Sequence, residues 1–160
     1  MKNVHYLVRI AFIAAIYVTI NILFAPISYG PIQVRIAEAL TVLAYLDPAA
    51  ISGLFLGCFF SNIWGGMGLV DILGGSLCTL IAALLTYRIK KPILAPLPPL
   101  IINALGVSLY LHLLFQIPYW LTVTYIAIGQ FIACYIFGYP LLIIFLKRDF
   151  WNFTQKQWSH

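Results

Sequence analysis

Long apolar segments separated by short polar breaks make up nearly the whole chain. Their lengths predict an all-α bundle of six membrane helices, because a helix needs about 20 apolar residues to cross the roughly 30 Å hydrocarbon core. The second segment is too short to cross upright and is closed by Asp47-Pro48, so it is predicted to be a partial or supplemented span. Pro140 lies inside the long sixth segment and predicts a tilt or kink there. The predicted segments are 6–24, 36–46, 49–64, 69–87, a fifth that follows the broken stretch 92–99 and ends near 115, and 120–146.

The composition supports this assignment to the membrane. Hydrophobic residues make up 63% of the chain and charged residues 8%, whereas a soluble domain carries about 25% charged residues. Uninterrupted apolar runs favour helices over the alternating pattern of a barrel. We expect one membrane domain over residues 1–160, ending in an interfacial tail over 150–160 that is rich in Trp and Phe. Lys2 before an apolar run is typical of a signal peptide, but no small-residue cleavage motif follows, which favours a retained first helix.

The net charge of +5 reflects membrane topology rather than nucleic-acid binding. All but one of the nine Lys and Arg residues lie at or near one set of predicted helix ends. Under the positive-inside rule this set faces the cytoplasm, which places both termini there. Loops 26–34, 65–68 and 116–119 then share the outer face. The basic residues at the inner ends are Lys2, Arg9, Arg88, Lys90, Lys91, Lys147, Arg148 and Lys156, and the exception is Arg35.

The stretch 26–40 carries the strongest functional signal. It places Gln33, Arg35 and Glu38 close together in a chain that has few other charges in its apolar segments. A charge at the centre of a membrane helix costs about 2.5–3.5 kcal/mol, so such residues usually mark a working site. Arg35 and Glu38 are three positions apart, and two hypotheses stay open. They form an internal ion pair, or one or both face a polar ligand in an outward cavity.

Further polar residues lie in or beside the apolar helices. Asp71 follows a glycine-rich outer loop near a helix N-terminus, where a carboxylate either stabilises the helix dipole or contacts a ligand. Asn62, Asn103 and Gln130 each need hydrogen-bond partners within an apolar segment. Convergence of these groups near the outer half of the bundle would indicate a ligand site.

Small residues predict close contacts between helices. Ala11 and Ala15 lie four positions apart and therefore on one face of the first helix. Gly53, Gly57 and Ser61 repeat this spacing on the third helix and predict a packing stripe inside the bundle.

Motifs for catalysis, metal binding and ATP binding are missing from the sequence. It contains no G-x-x-x-x-G-K-[ST] P-loop, and no serine or cysteine nucleophile has a credible base beside it. Cys58, Cys78 and Cys134 stand singly in apolar segments and are interpreted as small buried hydrophobic residues rather than metal ligands. The sequence therefore predicts a protein that is not an enzyme and that uses neither a metal nor a cofactor.

Three segments resemble the QueT family, substrate-binding S components of energy-coupling factor (ECF) transporters that are implicated in uptake of queuosine precursors. They are residues 28–43, Ser-Tyr-Gly-Pro-Ile-Gln-Val-Arg-Ile-Ala-Glu-Ala-Leu-Thr-Val-Leu, residues 53–57 with Asn62, and residues 71–76. The resemblance implies a small multi-pass protein of the bacterial cytoplasmic membrane that binds its substrate from outside. It also implies association with a transmembrane coupling subunit and two ATPase subunits, with Ala11 and Ala15 contacting the coupling subunit.

The resemblance further implies a deazaguanine-type ligand, and the candidate residues suit its chemistry. A carboxylate accepts hydrogen bonds from the ring N–H and the exocyclic amino group, and amide or guanidinium donors serve the carbonyl. An aromatic side chain would stack on the ring. The expected substrate site consists of Tyr29, Gln33, Arg35, Glu38, Asn62, Trp64, Asp71, Asn103, Trp120 and Gln130.

Three alternative functions stay open. The chain is an S component for another vitamin-like heterocycle, or a self-sufficient channel or facilitator in which Arg35, Glu38 and Asp71 line a polar path. The third alternative is a structural or assembly protein of the membrane, which predicts no ligand. Transport by the isolated chain in liposomes separates the facilitator from the importer subunit.

Overall fold

The computed structural model describes residues 2–28, 34–66 and 68–147, and every regular element in these ranges is helical. Five helical runs are long and apolar enough to cross a membrane, and a short apolar helix lies between the first and the second of them. The predicted all-α membrane bundle with a short second helix is therefore confirmed. The elements are α1 (Lys2–Leu23), α2 (Ala25–Ser28), a 3₁₀ helix (Ile36–Tyr45), α3 (Pro48–Gly65), α4 (Leu69–Arg88), a 3₁₀ turn (Pro92–Leu94), α5 (Leu97–Phe115), α6 (Tyr119–Phe131), a π-helical segment (Ile132–Gly138) and α7 (Tyr139–Lys147).

The bundle has two chemically different ends. Arg9, near the start of α1, donates to Asp47 at 2.9 Å, and the hydroxyl of Tyr45 donates to the carbonyl of Lys90 at 3.0 Å. These contacts bring together the start of α1, the end of the 3₁₀ helix and the basic link between α4 and α5. We call this the basic end. The other end, where α3 meets α4 and α5 meets α6, is called the far end.

Asp47 stabilises the basic end, because each of its two carboxylate oxygens accepts a hydrogen bond from a different donor. Its Oδ1 accepts from the backbone N–H of Ala49 at 2.9 Å, which caps the N-terminus of α3, and Pro48 occupies the first turn of that helix. Its Oδ2 accepts from Arg9. One side chain thus starts α3 and ties it to α1.

The 3₁₀ helix (Ile36–Tyr45) runs through the interior of the bundle. A 3₁₀ helix rises about 2.0 Å per residue, so its 10 residues extend about 20 Å, compared with about 15 Å for an α-helix. The stretched geometry lets this short segment connect Arg35, near the far end, with Asp47 at the basic end. Its buried residues are Ala37, Glu38, Ala39, Leu40, Thr41, Val42 and Ala44.

Helices α1 and α3 pack closely, because the predicted stripe of small residues on α3 faces α1. A Cβ atom at Gly53 would lie 2.9 Å from Cβ of Ile13, and one at Gly57 would lie 2.7 Å from Cβ of Tyr17. Both helices advance by four residues between these contacts, so they run parallel. The stripe therefore belongs to the interior of the bundle, as predicted.

We expect Gly57→Ala to lower the free energy of unfolding by about 1–3 kcal/mol, because the new methyl group would overlap the base of the Tyr17 side chain. Thermal unfolding of the purified chain in detergent measures this loss. Gly106→Ala is the matched control: its methyl group would meet the sulfur of Cys78, which can rotate away, so a smaller loss is expected. Equal losses in the two variants would contradict the close α1–α3 contact.

The sixth predicted segment is one long helical run whose middle is π-helical. Helix α6, the π-helical segment and α7 follow one another without a break. Pro140 comes two residues after Gly138, at which the segment ends. Proline has no N–H to donate and crowds the preceding turn, and a wider turn relieves this crowding. The distortion expected near Pro140 thus takes the form of a π-helical turn. The predicted tail over 150–160 lies outside the described residues.

Candidate ligand-binding site

Arg35 and Asp71 form a buried ion pair towards the far end. Nη2 of Arg35 lies 3.4 Å from Oδ2 of Asp71, and the two side chains are 7% and 3% exposed. Arg35 precedes the 3₁₀ helix with φ −82° and ψ 91°, so helical spacing does not direct its side chain at Glu38. The alternative of an ion pair between Arg35 and Glu38 is not found in the described part of the chain, because Arg35 pairs with Asp71 instead.

Asp71 joins three elements rather than capping its own helix. It lies in the first turn of α4, where the helix dipole favours a carboxylate, but Gly68 occupies the N-cap position. One carboxylate oxygen of Asp71 pairs with Arg35, and the other accepts a hydrogen bond from the hydroxyl of Tyr110 on α5. The side chain of Asp71 is therefore a link between α4, α5 and the start of the 3₁₀ helix.

Glu38 is fully buried and is held by two hydroxyl groups. Tyr17 on α1 donates to its Oε1 at 2.5 Å, a distance typical of a hydroxyl bound to a carboxylate. The hydroxyl of Thr79 on α4 lies 3.3 Å from the same oxygen. Oε2 has no hydrogen-bond partner in the described ranges. One oxygen of Glu38 thus already accepts from Tyr17, and the other remains able to accept.

A narrow cavity lies beside Glu38 and Arg35. Its volume is about 10 Å³, which is enough for the centre of one water molecule. Polar groups from four different elements face it, together with the apolar side chains of Val107 and Ile126. The polar side chains in its lining are Arg35, Glu38, Thr79, Asn103 and Gln130.

The three predicted amide side chains are all buried, and they approach this site in different ways. Asn103 and Gln130 line the cavity itself. Asn62 lies nearer the far end, where its Nδ2 donates to the backbone carbonyl of Asp71 at 2.9 Å and fixes the start of α4 against α3. The Oδ1 atoms of Asn62 and Asn103 have no hydrogen-bond partner among the described residues. The predicted convergence of polar groups is therefore present for these residues.

Two of the predicted aromatic residues lie apart from the cavity. Trp64 is 55% exposed and Trp120 is 74% exposed, and neither lines the cavity beside Glu38. Both were expected because an aromatic side chain can stack on the ligand ring, but the residue type does not fix the direction of a side chain. Tyr29 and Gln33 lie outside the described residues.

Sequence reasoning missed several residues that complete the cluster. Tyr17 and Tyr110 hold the two carboxylates, and their roles depend on contacts between residues distant in sequence. Cys58 is also more than a buried hydrophobic residue, because its sulfur lies 3.8 Å from Arg35 Nη1. Thr79 could have been found, since the spacing of Asp71, Gly75 and Thr79 by four places them on one face of α4.

A larger cavity of about 290 Å³ lies between the start of α4 and the end of α5. Asp71 and Tyr110 contribute its polar groups, and the other lining residues are Gly68 and apolar side chains. Two of these apolar residues, Leu69 and Phe115, are largely exposed. It therefore opens to the outside of the bundle, whereas the smaller cavity is surrounded by polar side chains. The smaller cavity is the better candidate for recognition of a polar ligand.

The outer face of α1 differs from its inner face. Ile13 and Tyr17 are buried against α3, whereas Ala11 and Ala15 are exposed on the other side of the helix. Phe12 beside them is 65% exposed. The small-residue strip thus lies on a surface of the bundle and is available to a neighbouring helix.

A helical bundle with five spans, a short interior helix and a buried polar cluster defines a multi-pass integral membrane protein. A family model described as QueT transporter matches residues 7–147, and the chain belongs to this family of transporters. The matched range includes the buried polar cluster of Arg35, Glu38 and Asp71.

One similar protein is the Queuosine precursor transporter QueT of Lactococcus lactis subsp. cremoris (strain MG1363). The two are 38% identical over 77 residues, which cover 47% of this chain and 45% of the relative. The chain thus matches about half the length of this relative. No solved structure matches the chain at a significant level.

Proposed function

We propose that this chain is the substrate-binding S component of an ECF-type importer, and that it captures a queuosine precursor of the deazaguanine type. The observation that carries the proposal is the buried cluster of Arg35, Glu38 and Asp71, because ionised groups in a membrane bundle are costly and usually functional. Membership of a transporter family and the name of the Lactococcus relative, a queuosine precursor transporter, support the ligand class.

The proposed ligand suits the acceptor atoms of the site that have no hydrogen-bond partner in the described ranges. A deazaguanine presents ring N–H and amino donors along one edge, and Glu38 Oε2 and Asn103 Oδ1 are acceptors without partners in the described ranges. Because Oε1 of Glu38 already accepts from Tyr17 and lies near Thr79, the ligand would use Oε2 alone. A second acceptor, such as Asn103, would then serve the neighbouring donor. Arg35 remains the group that suits a ligand carbonyl.

The proposed orientation puts the far end outside the cell. The positive-inside rule supports this orientation, in which the basic end and both termini would face the cytoplasm of a bacterial cell. The polar cluster would then open towards the outer face. The chain carries no P-loop, so energy would come from two ATPase subunits acting through a coupling subunit, and the chain itself would not be an enzyme.

Direct binding tests the proposal. The purified full chain in lipid nanodiscs is titrated with 7-deazaguanine and a panel of unrelated vitamin-like heterocycles. Selective binding of the deazaguanine is expected, and binding of another heterocycle instead would change the ligand class. The chain alone in liposomes is expected not to transport, and transport without the other subunits would favour the facilitator.

We expect Glu38→Gln to weaken binding of 7-deazaguanine by roughly 10- to 100-fold, because a neutral amide replaces a charged acceptor. Isothermal titration calorimetry on the purified chain measures the change. Asp47→Asn is the matched control, since it makes the same chemical change at the basic end, away from the site. Unchanged affinity in Glu38→Gln would remove Glu38 from the ligand site.

A further inference from the structure

Asn21 is a buried polar residue whose side chain makes no hydrogen bond within the described ranges. It lies on α1, is 1% exposed, and neither its Nδ2 nor its Oδ1 has a hydrogen-bond partner among the residues that the structure describes. Ser28 on α2 is also fully buried, and its hydroxyl likewise lacks a partner there. A buried amide without partners costs free energy that an apolar side chain of similar shape would not. Packing alone therefore gives no reason for an amide at this position.

Asn21 lies on the same face of α1 as Tyr17. At about 100° per residue, it is about 40° from the direction of Tyr17. A turn at Phe24 separates α1 from α2, in which the backbone N–H of Ser28 donates to the carbonyl of Phe24 at 2.8 Å. Tyr17 holds Glu38, so this face leads from Glu38 towards the far end.

The packing of α1 on α3 gives the level of Asn21 in the bundle. Tyr17 contacts Gly57, and the two parallel helices advance together, so Asn21 is level with Ser61, the residue before Asn62. Asn62 in turn bonds to the backbone of Asp71. Asn21 therefore lies one helical turn beyond Tyr17, between the level of the Glu38 contact and the far end.

We propose that Asn21 contacts the ligand and determines specificity for a heterocycle that carries a carbonyl group next to a ring N–H. A carboxamide offers one acceptor and two donors, so it pairs with such an edge through two parallel hydrogen bonds. In a deazaguanine this edge is the lactam, and Oε2 of Glu38 then accepts from the exocyclic amino group beside the lactam N–H. The inference rests on the proposed function, because it assigns one more residue to that site.

A pair of ligands and a pair of variants test this role. The probes are 7-deazaguanine and 2-amino-7-deazapurine, which lacks both the carbonyl group and the adjacent N–H. The full-length wild-type chain in nanodiscs is expected to bind the first roughly 10- to 100-fold more tightly, since unpaired polar groups penalise the second. Asn21→Leu is expected to bind 7-deazaguanine more weakly by the same factor, so that the preference for it is lost. Its thermal stability without ligand should be unchanged or higher, because it removes no hydrogen bond within the described ranges.

Ser108→Ala is the matched control. Ser108 is also fully buried with a hydroxyl that lacks a partner in the described part of the chain, but it lies on α5 and not on the face of α1 that Tyr17 and Asn21 share. This variant should keep both affinities. Asn21→Ala carries the same expectation as Asn21→Leu and replaces it if the leucine is not accommodated. A wild-type preference that survives both Asn21 substitutions would overturn the inference while leaving the proposed function intact. A wild-type chain that binds neither probe would overturn the proposed function, and the role of Asn21 with it.

Discussion

Replacing Ala15 with Trp is expected to abolish uptake of the ligand by cells while leaving ligand binding by the isolated chain unchanged. Ala11 and Ala15 are exposed on the face of α1 that points away from α3, and small residues there allow a second helix to approach closely. A Trp side chain would hold such a helix away. The polar cluster lies on the other side of α1, behind Tyr17, so its geometry should not change.

Uptake is measured in cells that express the complete transporter, and binding is measured by calorimetry on the purified variant. Leu109→Trp is the control, because it places the same side chain at a position on α5 that is 52% exposed. It should retain uptake. Loss of binding together with uptake in Ala15→Trp would mean that the strip supports the ligand site, and normal uptake would exclude it from coupling.

Arg35→Met is expected to lower the free energy of unfolding by about 3–5 kcal/mol, because it leaves the Asp71 carboxylate buried without its cation. The double variant Arg35→Met/Asp71→Asn removes the unpaired charge and should recover part of this loss. Thermal unfolding of the purified chains in detergent measures both changes.

Arg9→Met provides the comparison for this loss. Arg9 also pairs with a carboxylate, at 2.9 Å from Asp47, but its side chain is 35% exposed, whereas that of Arg35 is 7% exposed. Asp47 also keeps its hydrogen bond from the backbone N–H of Ala49 after the change, so a smaller cost is expected there. A similar cost for Arg35→Met and Arg9→Met would contradict the buried character of the Arg35–Asp71 pair.

Hydropathy was sufficient to predict the membrane helices, since the length of an apolar run is set by bilayer thickness rather than by tertiary contacts. The five long spans and the short segment near 36–46 are all present. The 3₁₀ geometry of that segment had no local signal, because hydropathy reports neither the rise per residue nor the hydrogen-bond pattern. The strain introduced by Pro140 was predictable, but its relief through a π-helical turn was not.

The candidate site was predictable only for residues whose polarity conflicts with an apolar segment. This conflict identified Glu38, Asp71 and Asn103, and the structure brings them to one region. Pairing was not predictable, because Arg35 and Asp71 are 36 positions apart and the nearer Glu38 was the natural partner in sequence. Tyrosines are common near membrane surfaces, so nothing local distinguished Tyr17 from the others.

The small volume beside Glu38 implies that binding of the proposed ligand there would take two steps. A cavity of about 10 Å³ is far below the roughly 300–1,000 Å³ of pockets that enclose drug-sized ligands, so helices must separate before a heterocycle fits. The measured affinity is then lowered by the fraction of chains that are open at any moment. At high ligand concentration the association rate would reach a plateau set by the opening of the bundle. A bound ligand would dissociate no faster than the helices separate again.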